Sequence, residues 1–389
     1  MHRMLSAILA PVLAGIFLFV APLRAHAQPL ESTVPITLSA PACLLMEAQT
    51  GTVIFEKNAN DRRQTASVSK LMSLLIFMEQ LETGAVSLDD TVTVSHSAAS
   101  TPGSTALLDA GASYPFKDLL RASIVASGND STVALAEYIA GTEEAFVQKM
   151  NARAAEMNLN DTHYVNCTGL SAQGQYTSAR DTAAIACALS KHSTYFEHSS
   201  LWLSNIVHPS GRTTDLTNTN RLVRFYEGCD GMKTGSSAEA KYCICATAEK
   251  NGIRLIAVVL GASGSQVRFD EARSMLEYGF ANYKRTEVIS SGELTGYNVP
   301  VTRGAKDSAA IAAGKGLSML LKSGQEKSLS VDLQLPDSIQ APMSKGTAVG
   351  SIQVLLDGAM VAELPAVLAE DVRLPSIFEG FLRILNAWR

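Results

Sequence analysis

The spacing of apolar residues differs between two parts of this chain. In an early stretch they recur at helical intervals, as in Leu71, Leu74, Leu75, Met78 and Leu81. Much later they alternate with polar residues, as in Leu329, Val331, Leu333 and Leu335. Alternation with a period of two is typical of a strand that is buried on one face. The pattern therefore predicts helices in the earlier part and a separate β-rich part near the end.

Further strands and helices are predicted around these stretches. Strands are expected at residues 42–47, 52–56, 242–249 and 254–261. Helices are expected at residues 116–126, 132–140 and about 269–283, with Asp130 or Ser131 capping the second. Strands on both sides of a helical region predict an antiparallel sheet covered by a helical lobe. Residues 308–321 are rich in alanine and glycine, so a helix and a loop both remain open there.

Length and charge limit the classes of function. The chain has 389 residues, enough for two domains. Apolar residues make up 47% and charged residues 18%, so a packed globular protein is expected. The formal net charge is −5 and no basic stripe with interleaved aromatic residues is present. This balance argues against a nucleic-acid partner.

The first residues have the pattern of an export signal. An apolar run extends from Leu5 to Val20, and Ala25-His26-Ala27 has the small-x-small pattern of a signal-peptidase site. We expect residues 1–27 to be a signal peptide and the mature chain to begin near Gln28. The alternative is a retained membrane anchor, although the run is short for a span of about 20 residues.

Export also permits disulfide bonds. The six cysteines are Cys43, Cys167, Cys187, Cys229, Cys243 and Cys245. Their wide scatter predicts small buried side chains with at most one bridge. Cys243 and Cys245 are two apart in a predicted strand, so both should point to the same face. No histidine spacing near them indicates a metal site.

Residues 374–389 are predicted to form an amphipathic helix. Its apolar face comprises Ile377, Phe378, Phe381, Leu382, Ile384, Leu385 and Trp388. Such a helix is too short to span a bilayer but can lie in its interface. Docking of the helix on the β-rich domain is the alternative.

Three short strings carry candidate chemistry. Ser67-Val68-Ser69-Lys70 places a hydroxyl and an amine on one helix face, one turn apart. A serine needs a base to become a nucleophile, and a lysine can serve only when its pKa is lowered by burial or by a neighbouring cation. Ser127-Gly128-Asn129 offers a hydroxyl and an amide on a turn between two helices. Lys233-Thr234-Gly235 enters a strand, where a lysine and a threonine can bind a carboxylate.

Together, in the order S-x-x-K, S-x-N and K-T-G, the strings resemble the signature of penicillin-binding proteins and serine β-lactamases. From about Ala42 onward, the chain is similar to the low-molecular-mass serine D-alanyl-D-alanine carboxypeptidases. The shared strings are Gln64–Met72, Asn166–Leu170, Asp230–Gly235, Arg268–Ala272 and Tyr278–Phe280. The resemblance implies an α+β fold. A serine β-lactamase/transpeptidase-like domain would occupy residues 28–286 and a small β-rich domain residues 287–373.

The resemblance also implies residue roles. Ser67 would be the acylated nucleophile and Lys70 its general base. Ser127 would pass the proton to the leaving D-alanine, and Asn129 would orient the acyl portion.

Substrate binding is implied at the third string. Lys233 and Thr234 would hold the terminal carboxylate, and Gly235 leaves room for the substrate backbone. The N–H groups of Ser67 and Ser236 would form the oxyanion hole. Some relatives carry arginine where this chain has Thr219, so the resemblance does not imply a cationic contact at this position.

The implied partners are peptidoglycan stem peptides ending in D-Ala-D-Ala, with β-lactams as inhibitors. No cofactor and no metal is implied. The implied location is the outer face of the membrane, the cell wall or the periplasm, and a membrane surface is a further candidate partner.

Two rival functions are considered. A class A β-lactamase needs a glutamate in a Glu-x-x-Leu-Asn pattern, which residues 156–160 match. Their position at a predicted helix end and the β-rich domain that follows argue against this function. A non-catalytic penicillin-binding scaffold would be expected to have a broken motif, whereas all three strings are intact.

Overall fold

The computed structural model describes residues 36–387, with side chains described as far as residue 382. The predicted signal peptide, residues 1–27, lies outside the described residues. The strands are β1 (Ala42–Glu47), β2 (Val53–Lys57), β3 (Thr91–Thr93), β4 (Ser113–Pro115), β5 (Leu203–Val207), β6 (Thr213–Thr217), β7 (Cys229–Ser237), β8 (Lys241–Lys250), β9 (Ile253–Ala262), β10 (Tyr283–Ile289), β11 (Leu294–Thr302), β12 (Ser308–Ala313), β13 (Leu317–Lys322), β14 (Leu329–Gln334), β15 (Ile339–Gln340), β16 (Ala348–Leu356) and β17 (Ala359–Leu368).

The helices alternate with these strands in the first part of the chain. They are α1 (Lys70–Glu82), α2 (His96–Ala99), α3 (Phe116–Val125), α4 (Asn129–Ala140), α5 (Glu143–Glu156), α6 (Ala179–Leu189), α7 (Ser193–Ser199), α8 (Leu222–Phe225), α9 (Ser265–Asn282) and α10 (Ile377–Ala387). Two 3₁₀ turns cover Ala66–Ser69 and Gln325–Ser328.

An antiparallel sheet with the strand order β2-β1-β9-β8-β7 forms the centre of the first part. Its side chains alternate between two cores. Leu44 packs with the helical lobe, which includes α1, α3 and α4, whereas Leu45 packs with α9 on the other face. Because both faces are covered, β1 is buried along its whole length. The predicted sheet with a helical lobe is therefore present, and β7 is left as an edge strand beside α1.

The second part of the described chain is built from strands. A six-stranded sheet has the order β14-β16-β17-β12-β11-β15, and β10 pairs with β13. The strand β10 crosses the predicted division between residues 286 and 287. A separate core includes Val299, Ile311 and Ile352.

Residues 308–321 form β12 and part of β13, so neither the helix nor the loop considered for them is correct. Ala309, Ile311 and Ala313 alternate into the core of the second sheet. Their burial between β11 and β17 outweighs the helical preference of alanine.

The cysteines and the last helix are placed as follows. All six cysteines are free thiols, and Cys243 and Cys245 point into the same core, as predicted.

Helix α10 exposes large apolar side chains, with Ile377 95% and Phe378 70% exposed. Within residues 36–387, no helix has both the length and the apolar character that crossing a bilayer requires.

Candidate active site

Ser67 lies on the 3₁₀ turn Ala66–Ser69, one residue before α1 begins at Lys70. The sequence predicted Ser67 at the start of the helix itself. In this turn Ala66 has φ +48°, and the loop at Gly169 packs directly against its backbone. A Cβ on Gly169 would stand 2.0 Å from the Ala66 carbonyl oxygen. This approach fixes the position of Ser67 from the loop side.

Lys70 is fully buried, and its amine is held by three oxygen atoms. Its Nζ is 3.0 Å from Ser67 Oγ, 2.6 Å from Asn129 Oδ1 and 2.7 Å from the Thr168 carbonyl oxygen. The structure therefore brings together Ser67 and Lys70 of the first string and Asn129 of the second.

These contacts suit a neutral amine. The amide oxygen of Asn129 and the carbonyl oxygen of Thr168 can only accept hydrogen bonds, so they take the two N–H groups of a neutral lysine. The lone pair then faces the Ser67 hydroxyl, which can donate its proton. Burial lowers the pKa of Lys70 to about 7, so this form is populated near neutral pH.

Ser127 and Asn129 lie where the chain passes from α3 to α4. Ser127 has φ +60°, which ends α3 sharply, and its hydroxyl is buried without a hydrogen-bond partner among the described residues. Asn129 is the first residue of α4, and its Nδ2 donates to the Pro102 carbonyl at 2.6 Å. The amide is therefore oriented by the loop on one side and directs its oxygen toward Lys70 on the other.

Asp130 does not cap α4, contrary to the prediction, and neither does Ser131. The cap residue is Gly128, and α4 begins three residues earlier than expected. The buried carboxylate of Asp130 instead accepts hydrogen bonds from the N–H groups of Ala106 and Leu108. It thereby fixes the loop that follows Pro102 and holds Asn129, which the local sequence gave no means to predict.

A second positioning device lies in the string 166–170, to which the sequence assigned no role. Asn166 Oδ1 accepts the N–H of Gly169 at 2.7 Å, and its Nδ2 donates to the Leu170 carbonyl at 2.8 Å. These bonds shape the loop that presents the Thr168 carbonyl to Lys70.

The third string lies on β7, facing the turn that carries Ser67. Lys233 is fully buried, and burial together with the charges of Lys70 and Arg268 lowers its pKa well below the usual range. Of the two causes that the sequence left open for Lys70, burial is the one that lowers its pKa. The Thr234 hydroxyl donates to Thr219 Oγ1 at 2.8 Å, so Thr219 contacts the site as a neutral group.

Gly235 and Ser236 follow at the exposed end of the strand. The carbonyl of Gly235 accepts a bond from buried Arg268 at 2.9 Å, which the sequence did not predict. A Cβ on Gly235 would lie 2.4 Å from the Thr65 carbonyl oxygen and 2.8 Å from the Ser67 nitrogen. Glycine is therefore required where β7 meets the turn that carries Ser67.

Glu156, on which the β-lactamase alternative depends, lies elsewhere. It ends α5 with 66% of its side chain exposed, and its carboxylate pairs with Arg153 at 3.2 Å. A glutamate engaged there is not placed to activate a water beside Ser67. Within residues 36–382, no group of three or more His, Cys, Asp or Glu side chains is arranged to hold a metal ion.

Comparison with known proteins agrees with this geometry. Residues 27–264 match the D-alanyl-D-alanine carboxypeptidase family, and residues 283–373 match the C-terminal domain of penicillin-binding protein 5. The chain belongs to the D-alanyl-D-alanine carboxypeptidase family. The predicted family, the α+β fold and the predicted enzyme class, a serine-type carboxypeptidase, are confirmed.

Relatives of this carboxypeptidase match it over most of its length. D-alanyl-D-alanine carboxypeptidase DacF of Bacillus subtilis is 35% identical over 389 residues, which cover 100% of this chain and 99% of the relative. The Escherichia coli carboxypeptidase DacC is 32% identical over 381 residues, with 94% and 92% covered. The crystal structure of penicillin binding protein 5 from Haemophilus influenzae has a TM-score of 0.74 at 29% identity, with 88% of this chain and 100% of that chain covered.

We expect Gly235→Ala to lower kcat/KM for D-alanine release by about 10²-fold, since a displacement near 1 Å at a reacting group has this effect. The added methyl group meets the backbone of Thr65 and Ser67, which cannot rotate away. Gly264→Ala is the matched control, because its Cβ would meet only Val267 Cγ2, at 3.5 Å. Equal activity of the two variants, with equal melting temperatures, would contradict the close approach.

Proposed function

We propose that this carboxypeptidase removes the terminal D-alanine from peptidoglycan stem peptides through an acyl-enzyme on Ser67. One observation carries the proposal. Lys70 Nζ lies 3.0 Å from Ser67 Oγ while two other oxygens occupy its N–H groups. An amine held in this way can take the serine proton.

Acylation begins when Ser67 Oγ attacks the carbonyl carbon of the penultimate D-alanine and Lys70 accepts the hydroxyl proton. The carbonyl oxygen becomes an oxyanion, which we assign to the N–H groups of Ser67 and Ser236. Gly235 supports this assignment, because its lack of a side chain lets β7 approach the Ser67 nitrogen.

The terminal carboxylate of the substrate is assigned to Lys233 and Thr234. Burial and the charge of Arg268 disfavour a protonated Lys233, and a bound carboxylate offsets both effects, so the site favours an anion. The Thr234 hydroxyl can exchange its bond with Thr219 for one to the carboxylate. A leaving D-alanine bound in this way places its nitrogen between Ser67 and the Lys233 side of the cleft.

Collapse of the oxyanion breaks the peptide C–N bond, and the leaving nitrogen must receive a proton. We assign its delivery to Ser127, whose buried hydroxyl has no other partner among the described residues. Ser127 gives its proton to the nitrogen and takes in return the proton that Lys70 received from Ser67, so Lys70 is neutral again. Water then attacks the Ser67 ester while Lys70 accepts the water proton. The bond between the acyl carbon and Ser67 Oγ breaks, Lys70 returns the proton to Oγ, and the shortened peptide is released. Asn129 holds Lys70 and orients the acyl portion.

The remaining parts of the chain are assigned by position. The substrate class, a peptidoglycan peptide, implies an extracytoplasmic location, and we propose the outer face of the cell membrane, with residues 1–27 as the export signal. We divide the rest into a catalytic domain up to α9 and a β-rich domain from β10 onward. Exposed Ile377, Phe378 and Phe381 support contact of α10 with the membrane surface. We also propose that β-lactams acylate Ser67, as analogues of the acyl donor.

The direct test is incubation of the full chain with an acyl peptide ending in D-Ala-D-Ala, with free D-alanine measured enzymatically. We expect release of one D-alanine per peptide. The matched peptide ending in D-Ala-L-Ala is expected to react at least about 10²-fold more slowly, because its methyl group would be misplaced at a site that requires alignment of the reacting atoms. Absence of release from the first peptide would refute the proposed function.

A further inference from the structure

A carboxylate stands at the edge of the cleft, beyond the residues that the mechanism uses. Glu239 lies in the turn between β7 and β8, and its Oε2 accepts hydrogen bonds from Ser171 Oγ at 2.7 Å and Ser237 Oγ at 3.0 Å. Ser171 belongs to the loop that carries Thr168, so the contact joins the two walls of the cleft.

The orientation of the substrate leads to this place. On the proposed function, the terminal carboxylate lies at Lys233 and Thr234 and the scissile carbonyl lies beside Gly235. The acyl portion must therefore extend in the other direction, past Ser236. Extended chains advance about 3.3 Å per residue. The residue that precedes the two D-alanines then lies beside Ser237, with its side chain within reach of the turn.

The turn between β7 and β8 carries one negative side chain, Glu239, and β8 begins with one positive side chain, Lys241. The hydroxyl bonds from Ser171 and Ser237 and the charge of Lys241 hold the pKa of Glu239 below its ordinary value, so its carboxylate is ionised. No ion pair joins it to a cation within residues 36–382. Lys241 also borders a surface cavity of about 430 Å³, lined by Ser236, Ser237, Ala238, Lys241, Tyr242 and Ser263.

We infer that Glu239 and Lys241 select the third residue of the stem peptide, favouring a diamino acid whose side chain carries both an ammonium group and a carboxylate. The ammonium binds Glu239 and the carboxylate binds Lys241 at the cavity. This inference rests on the proposed function, because the direction of the substrate follows from it. Glu239 and Lys241 are specificity residues and do not contact the reacting atoms.

Three peptides that differ only in the residue before D-Ala-D-Ala test the inference with the full chain. The residues are meso-diaminopimelate, lysine and Nε-acetyl-lysine. Because an exposed ion pair contributes up to about fivefold in binding, we expect KM to rise by up to about this factor from the first peptide to the second, and again to the third. The kcat values stay equal, because these contacts are the same in the ground state and the transition state.

Variants separate charge from structure. Glu239→Gln is expected to raise KM about fivefold for the two peptides with a free ammonium and to leave the acetylated peptide unchanged. Lys241→Met is expected to make diaminopimelate no better than lysine. Ser171→Ala is the matched control, since it removes the bond between the cleft walls but keeps the carboxylate, and it should retain the preference.

The outcomes distinguish this inference from the proposed function. Release from all three peptides with equal KM values, or an equal change of all three by Glu239→Gln, would overturn the inference alone. No release from any of the peptides would overturn the proposed function and the inference with it. Higher salt, from about 50 to 500 mM, should reduce the preference, because exposed charges are screened.

Discussion

Replacing Ser67 by alanine is expected to lower kcat/KM for D-alanine release by about 10⁴-fold or more, which is typical when the nucleophile of an acyl-transfer site is removed. The variant should also lose covalent labelling by a fluorescent penicillin, because no acyl-enzyme can form. The fold should be retained, since Ser67 is only partly buried and its removal leaves Lys70 bound to Asn129 and Thr168. Labelling on a denaturing gel and release of D-alanine measure the two effects.

Ser69→Ala is the matched control for this variant. Ser69 lies on the same 3₁₀ turn, and its buried hydroxyl contacts Thr65 Oγ1 at 3.0 Å. Loss of that bond should cost about 1 kcal/mol of unfolding free energy but preserve labelling. If Ser67→Ala takes the label as wild type does, the acylated residue lies elsewhere and the assignment of Ser67 fails.

The sequence predicted the components of the site better than their contacts. Serine, lysine and asparagine at fixed spacings leave a visible pattern, and the alternation of Leu44 and Leu45 reflects a sheet that is buried on both faces. The strands predicted at residues 242–249 and 254–261 pair as β8 and β9, joined by Asn251-Gly252, which favours the required turn.

The interactions that were missed come from distant parts of the chain. The carbonyl of Thr168 binds Lys70 through the backbone, and any residue type supplies a carbonyl, so no side-chain pattern marks it. Asp130 was expected to cap its own helix, which is the ordinary local role of aspartate. Its carboxylate instead accepts hydrogen bonds from the N–H groups of Ala106 and Leu108, which are 24 and 22 residues away in the sequence. Only folding brings this loop close to Asp130.

The second large effect concerns pH. Because the pKa of Lys70 is lowered to about 7 from an ordinary value of 10.5, the amine is neutral above pH 7 and protonated below it. We expect kcat/KM to fall about tenfold per pH unit well below pH 7, since only the neutral amine can accept the Ser67 proton. Measurement of kcat/KM from pH 5 to pH 9 tests this fall, which forms the acidic limb of the pH profile.

Lys70→Met is expected to lower kcat/KM by about 10³-fold at pH 8 and to remove the limb, because general-base catalysis contributes about 10²- to 10⁴-fold. Lys57→Met is the matched control, since the Lys57 amine is likewise held by carbonyl oxygens, those of the Leu38 and Ala40 backbone, but lies away from Ser67. It should keep both the activity and the limb.

Stability supplies a second readout for the same lysine. Between pH 7 and 10.5 the unfolded chain holds a proton on Lys70 that the folded chain has released, so unfolding free energy should rise with pH in this window. Lys70→Met abolishes that contribution, and Lys57→Met retains it. A wild-type activity profile that is flat from pH 5 to pH 9 would show that the base is another group. Even then, a smaller rise of unfolding free energy with pH in Lys70→Met than in wild type would show that Lys70 is buried.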